Sequence, residues 1–536
     1  MLDYNVAEEI LKDFGQLSSL RSNEESHWQE IAERVIPSHV NTFSTNGLRS
    51  KGQKNTDLIF DSTATVALSR FASIMDSLLT PVNQKWHRLS TSNRYLNKDR
   101  QTRLWFEEAT EILFRYRYSP RGNFISQNNQ NFTSLGAYGT GAQFIDRLTS
   151  EPGLRYKCIP LGEIYFAENH QGIIDKASRR FMMTARQAYQ KFKDKTPKEI
   201  IEKVKTHPEN EFWFVHCVKP RHDYDPSRYD YKGKKYGSYY VSETGKKMVL
   251  EEGYQTFPYA ISRYTQGPGE VYGRSPIMEV LPAIKTLNEQ KKTILTQGHR
   301  IVNPVLLAHD DGVIDGFSLA PGAINPGGVS EEGRLLIQAL PTGRVDIGRD
   351  MMEDERAIIK DSLLSTLFQI LVENPQMTAT EVMERSKEKG MLLTPTVGRQ
   401  QSEYLGPMIE RELDLLSQMG LLPPMPPALL EAQGEFTIIY DSPLSRAQRA
   451  EEASGIMRTV ESTLAIVNVT QNPEPLDHFN WDVIVPEISS IHGVPERFLR
   501  SMDEVQAIRE GRAQEAQDQK MIQAAPSAAA IMKQGK

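Results

Sequence analysis

GPGEVYGRSPIMEVL, residues 267–281, is the stretch on which the fold turns, because two incompatible structures can be written onto it. A phosphate-gripping loop needs Gly, four residues, then Gly-Lys followed by Ser or Thr. Gly273-Arg274-Ser275 imitates the end of that pattern, but Pro268 stands where the first Gly belongs and Arg replaces Lys. A helix start uses the same residues better. Ser275 can accept from a free backbone N–H, and Pro276 occupies the first helical position, where a missing N–H costs nothing. Beyond it Ile277, Val280, Leu281, Ile284, Leu287, Ile294 and Leu295 fall at the spacing of a one-sided amphipathic helix, with Pro282 tolerated as an early kink. The stretch therefore predicts a long helix over about 275–300, with Gly267, Pro268, Gly269 and Gly273 as a turn-rich lead-in.

The segments beyond this helix give it an architecture. Residues 303–347 are rich in Gly and Pro, with β-like runs at Val305–Ala308 and Leu335–Leu340. A second helix is expected from near Asp350, carrying Ile358, Ile359, Leu363, Leu364 and Leu367. Two amphipathic helices around a compact insert make an antiparallel pair with a tip. In MTATEVMERSKEKG (377–390), Thr378 and Glu381 form a capping box and Met377 with Val382 a hydrophobic staple. That helix is predicted to reach about Gly420, with kinks at Gly390–Pro395 and Gly406–Pro407, before LLPPMPP ends it.

On the N-terminal side, residues 1–36 read as helical, with Leu11, Phe14, Leu17 and Leu20 at helical spacing and a stop at Pro37. A second helix starts after Asp61 or Ser62, carries Val66, Leu68, Phe71, Ile74, Leu78 and Leu79, and ends at Pro81. Residues 101–118 form a third. From about 140 to 265, runs such as FWFVHCV and KMVL among many Tyr, Gly and Pro predict strands and turns. FTIIY (436–440) reads as a strand, and the rest as mostly helical up to a Gln- and Ala-rich tail. The fold class is α+β, predominantly helical.

Composition narrows the function. At 536 residues the chain exceeds one core, and its 39% hydrophobic and 25% charged content is that of a folded protein. No apolar run approaches the roughly 20 residues needed to span a bilayer. The acidic start MLDYNVAEEILKD is unlike a secretory signal. Two cysteines, Cys158 and Cys217, do not make a disulfide framework. A net charge of −6 argues against tight binding of nucleic acid through phosphate neutralisation.

Catalytic and metal motifs are missing. His216, Cys217 and His222 are the nearest metal-like set, but strand alternation puts His216 and Cys217 on opposite faces. HDYDPSRYD (222–230) lacks the spacing of a calcium loop, and Gly139-Thr140-Gly141 reads as a short turn. No cofactor site and no enzymatic site are expected.

Several segments together resemble the portal, or head-to-tail connector, of short-tailed, T7-like bacteriophages. They are DSTATVALSRFASIMDSLLTPVNQKWHRL (61–89), NFTSLGAYGTGAQFI (131–145), EVYGRSPIMEVLPAIKTLNEQKK (270–292), the 377–427 segment from MTATEV to LLPPMPP, and GVPERFLRSMDEVQAIREGRAQEAQ (493–517). They stand in the family's order. The resemblance implies a ring, usually of twelve subunits, at one capsid vertex, with wing, stem, clip and crown regions around a channel for double-stranded DNA. It divides the chain into a wing at 1–274, stem helices at 275–302 and 348–366, a clip at 303–347 and a tunnel loop at 365–377. A wing helix and return strand would occupy 378–441, and the crown and tail 442–536. Channel-facing candidates are Gln369, Glu373, Asn374 and Gln376 in the tunnel loop and Lys285, Lys291 and Lys292 on the first stem helix. Implied partners are further copies of the chain, the terminase packaging motor, major capsid and scaffolding proteins, a tail adaptor and internal core or ejection proteins. The implied location is the virion, after assembly in the bacterial cytoplasm. A capsid or scaffolding protein is the alternative; a packaging ATPase would need the P-loop that Pro268 and Arg274 spoil.

Overall fold

The computed structural model describes residues 2–40, 42–43, 55–308, 318–326, 328–330, 332–341, 346–365, 393–432, 434–441, 443–491, 494 and 496–517. Contacts group the chain into two units, Met1–Ser77 with Pro120–Leu415, and Leu78–Ser119 with Leu416–Lys536.

The first unit is built on antiparallel sheets. Strands β4 (Ile164–Glu168), β5 (Ile174–Thr184), β6 (Glu211–Pro220), β7 (Tyr236–Ser242) and β8 (Lys247–Tyr254) lie side by side in chain order. Alternation along β6 decides what covers each face. Val215 and Cys217, with Tyr239 and Val241, meet Ala7 and Ile10 of α1 (Leu2–Leu20). Phe214, with Tyr240 and Val249, meets Ala185, Ala188, Phe192 and Ile200 of α6 (Ala185–Phe192) and α7 (Lys198–Thr206). The buried stripe of α1 is thus centred on Ala7 and Ile10. Leu11 and Phe14 only flank it, and Leu20, expected on that stripe, is 77% exposed.

A second sheet of β3 (Leu154–Cys158), β2 (Thr140–Arg147) and β9 (Tyr259–Arg263) carries α5 (Phe124–Tyr138). α2 (Ser22–Val35) and α3 (Thr63–Leu79) pack nearby, α3 through Leu68 and Phe71 against Gly136 of α5. Val66, expected inside, is exposed. The short pair β10 (Thr265–Gln266) and β11 (Gly273–Arg274) closes the turn that leads into α8 (Pro276–Val302). After α8, β12 (Leu306–Ala308) and β13 (Ile337–Ala339) form an antiparallel ladder, and α9 (Asp346–Ser362) returns. Helix 393–418 completes the unit, with a π turn at Gln401–Leu405 just before Pro407. A proline cannot donate the next helical bond, which accounts for the widened turn there.

In the second unit, β1 (His87–Ser90) pairs with β14 (Thr437–Tyr440) beside α4 (Arg100–Arg117). Buried Arg117 lies between the rings of Trp86 (4.7 Å) and Phe114 (5.0 Å) and contacts His87 Nε2 at 2.8 Å. Burial, helped by Arg117, holds His87 well below its ordinary value and so neutral, an acceptor for the guanidinium. Helices Pro443–Thr470, Trp481–Ile491 and 502–517 complete it.

Candidate functional site

The stretch 267–281 is a helix start. Ser275 Oγ accepts from the Met278 N–H (3.0 Å) and donates to the Ala137 carbonyl (2.8 Å), with Pro276 at the first position. Pro282 inside α8 costs about 3 kcal/mol. Buried Ile277, Val280, Leu281, Ile284 and Leu287 offset this at about 1.5–3 kcal/mol each, so the helix runs through it. Gly139 and Gly273 explain the glycines. Gly139 ends α5 at φ +74, and a Cβ on it or on Gly273 would overlap the other's backbone. The Gly273 N–H donates to Thr140 Oγ1 (2.8 Å). Gly139-Thr140-Gly141, read as a short turn, is thus the junction where α5 ends and β2 begins, against which the base of α8 is seated.

α8 and α9 are antiparallel. Ser362 Oγ, at the end of α9, donates to the carbonyl of Pro276 at the start of α8 (3.2 Å), while Gly348 near the start of α9 lies against Ile294. Met352, Ile359, Leu363 and Leu364 are buried on the returning side. The second helix is already formed at Asp346, ahead of the Asp350 that its sequence suggested, and Ile358 is exposed. At the far end of the pair Ile301, Val302, Val305 and Leu307 are exposed. A groove of about 550 Å³ between the helices is lined by Lys285, Thr286, Glu289, Gln290, Thr293, Ile294 and Gly348.

The base of the pair is pinned by polar groups. Asn288 on α8 accepts from the N–H groups of Phe60 (2.8 Å) and Asp61 (3.0 Å), and its own amide donates to the Ile284 carbonyl (3.0 Å). Asp61 accepts from Thr63 N–H (2.9 Å) at the start of α3 and takes a two-pronged contact from Arg356 of α9 (2.7 and 3.2 Å). Burial pushes the Asp61 carboxyl up, but the bonds from Thr63 and Arg356 outweigh it and hold it below its ordinary value. Asp61 thereby joins three helices, α3 and α9 through its carboxylate and α8 through its backbone N–H. A second polar set holds helix 393–418. Arg263 of β9 grips Glu403 through two bonds (2.8 and 3.1 Å) and reaches Glu168 and the Val271 carbonyl. Gln400 accepts from Ser262 (2.5 Å) and donates to the Arg263 carbonyl (2.6 Å), and the Tyr404 hydroxyl sits between Asn128 (2.6 Å) and Gln143.

The channel candidates named from the sequence fall in different settings. Lys285 Nζ is 2.8 Å from Glu30 Oε1, and its hydrogen bond lowers the Glu30 carboxyl. Lys292 lies over the Phe60 ring at 5.8 Å, on the same helix face as Lys285, seven residues away. Lys291 is half-buried on a different face. Gln369, Glu373, Asn374 and Gln376 lie outside the described residues, as do Thr378 and Glu381 of the expected capping box. Sequence reasoning missed Asn288, Arg263 and Arg356, whose partners are up to 295 residues away and leave no local pattern. His216 is bonded to Tyr259 (2.8 Å) and Ser238 (3.0 Å) and Cys217 faces α1, so the two do not share a site. Among the described residues no group of three His, Cys, Asp or Glu side chains could hold a metal ion, and no helix is long and apolar enough to cross a membrane.

The model of the bacteriophage head to tail connecting protein family matches residues 7–499. The chain belongs to that family. It is 28% identical over 98% of its length to "Probable portal protein" of Bordetella phage BPP-1, covering 93% of that protein. It is also 26% identical over 95% of its length to "Portal protein" of Salmonella phage epsilon15, covering 92%.

Proposed function

We propose that the chain is a portal subunit, closing with further copies into a ring at one capsid vertex through which double-stranded DNA is packaged and ejected. α8 and α9 are its stem, residues 303–347 the clip, 365–377 the tunnel loop, 1–274 and 378–441 the wing, and 442–536 the crown. The observation that supports this best is the antiparallel α8–α9 pair, buried at its base and exposing apolar residues toward the β12–β13 end. Exposed apolar surface of that kind is normally covered by association. The chain works as a structural component of the virion rather than as a catalyst. The terminase motor, capsid and scaffolding proteins, tail adaptor and internal core proteins are its partners in this scheme.

The channel passes DNA without gripping it. A densely basic bore would bind phosphates tightly and stall passage. The net charge of −6 per chain becomes −72 over twelve copies (12 × 6). In the tunnel loop Gln369, Asn374 and Gln376 offer weak, exchangeable hydrogen bonds beside a single negative charge, Glu373, while Lys285, Lys291 and Lys292 supply sparse guiding charge. Replacing Glu373, Asn374 and Gln376 together with Lys should leave rings intact and slow or abort packaging. Normal packaging of full-length genome by that variant would contradict the low-grip channel.

A further inference from the structure

The connection from β5 to β6 is far longer than its geometry requires. Thr184 pairs directly with Glu211, so a tight hairpin would join the strands, yet residues 185–210 intervene and fold as α6 and α7. The module seals one sheet face with Ala185, Ala188, Phe192 and Ile200. Its outer side is a different surface. Residues 185–210 hold Arg186 and six lysines against Asp194, Glu199, Glu202 and Glu209, a net of +3 (7 − 4) in a chain of −6.

Pairing separates these cations from others in the unit. Arg179, Arg180, Arg221, Arg263 and Arg356 all hold carboxylates. On the module, Arg186 pairs with Glu209, and the Lys191 amine lies over the Tyr240 ring at 3.7 Å. Lys193, Lys195, Lys198, Lys203 and Lys205 are exposed and have no ion-pair partner among the described residues. Lys193 also sits at φ 49, ψ −123, where a glycine would be unstrained.

The class of partner can be read from the neighbours of the lysines. A protein interface needs an apolar centre. Among the described residues from 185 to 206, Tyr189 is the one exposed large apolar side chain. Scattered ammonium groups, which act as point charges without a planar fork, suit a phosphate backbone read without regard to sequence. We propose that the outer side of α6–α7 is a contact surface for the backbone of double-stranded DNA, carried by Lys193, Lys195, Lys198, Lys203 and Lys205. It uses no residue of the helix pair and does not depend on the channel assignment.

The test is fluorescence anisotropy of the full-length protein with a labelled random duplex of about 30 base pairs, between about 50 and 200 mM salt. Changing the five lysines to Gln should weaken binding at least tenfold and lower the log–log salt slope by about 4.5, near 0.9 for each phosphate no longer neutralised. Changing Lys285, Lys291 and Lys292 to Gln should leave most of the slope in place. A partial variant, Lys193→Gln with Lys195→Gln and Lys198→Gln, should give an intermediate slope and guards against misfolding of the fivefold one. An unchanged slope in both module variants, or no duplex binding by the wild type, overturns the proposal. Displacement of the duplex by polyglutamate as effectively as by unlabelled duplex at equal charge also overturns it and assigns the face to an acidic protein segment.

Discussion

Gly139 and Gly273 lie backbone against backbone, so that neither position has room for a Cβ. Their contact seats the base of α8 on the end of α5, and the Gly273–Thr140 hydrogen bond fixes it there. Gly139→Ala adds left-handed strain to the overlap, and Gly273→Ala brings the overlap alone. Each should cost about 2–4 kcal/mol, with Gly139→Ala the worse. Thermal melts of the two variants check both size and order.

Asp61 makes the base acid-sensitive. Its carboxyl is held below the ordinary value in the folded protein, so its contribution is complete above about pH 4 and is lost as pH falls through the folded value. Asp61→Asn should remove about 1.5–3 kcal/mol at neutral pH by stripping the charge from the Arg356 contact. Protection of the α9 amides, taken relative to the free-peptide exchange rate at the same pH, should fall in the variant at pH 7, and in the wild type only in acid. Equal exchange in the two proteins at pH 7 would count against the latch.

The hairpin end of the pair is separable from its base. Deleting residues 310–330 removes neither Asn288 nor Arg356 nor the α8–α9 contacts. Rings should still form, while capture of the tail adaptor in a pull-down should disappear. Normal capture would remove the clip assignment.

The C-terminal end should be dispensable for assembly. Helix 502–517 starts on a reciprocal cap, Ser501 with Glu504, and is tied by Arg509 to Asp482 and by Arg100 to Glu504, each pair with at least one exposed partner. Exposed pairs contribute little. A chain truncated after Arg500 is expected to assemble as the full one does, checked by sedimentation.

Local chemistry made much of this fold legible. Ser275-Pro276 marks a helix start through adjacent atoms, the Val305–Ala308 and Leu335–Leu340 runs frame the observed ladder, and FTIIY holds β14. Apolar spacing placed helices well but chose their faces less well. Leu20, Val66 and Ile358 fit the period yet point outward, because the period cannot say which neighbour arrives. The polar anchors were hidden for a different reason. Asp61 meets Arg356, and Gln400 meets Ser262, only after the chain has folded back over more than a hundred residues. The π turn at Gln401–Leu405 was foreshadowed only by Pro407.

The central claim is a closed ring with an open centre, and negative-stain images of the purified full-length protein test it most directly. Rings with a central hole and a countable rotational symmetry, formed without nucleotide, are the expected result. A monomer at every concentration, with no rings even when procapsid components are added, would contradict it.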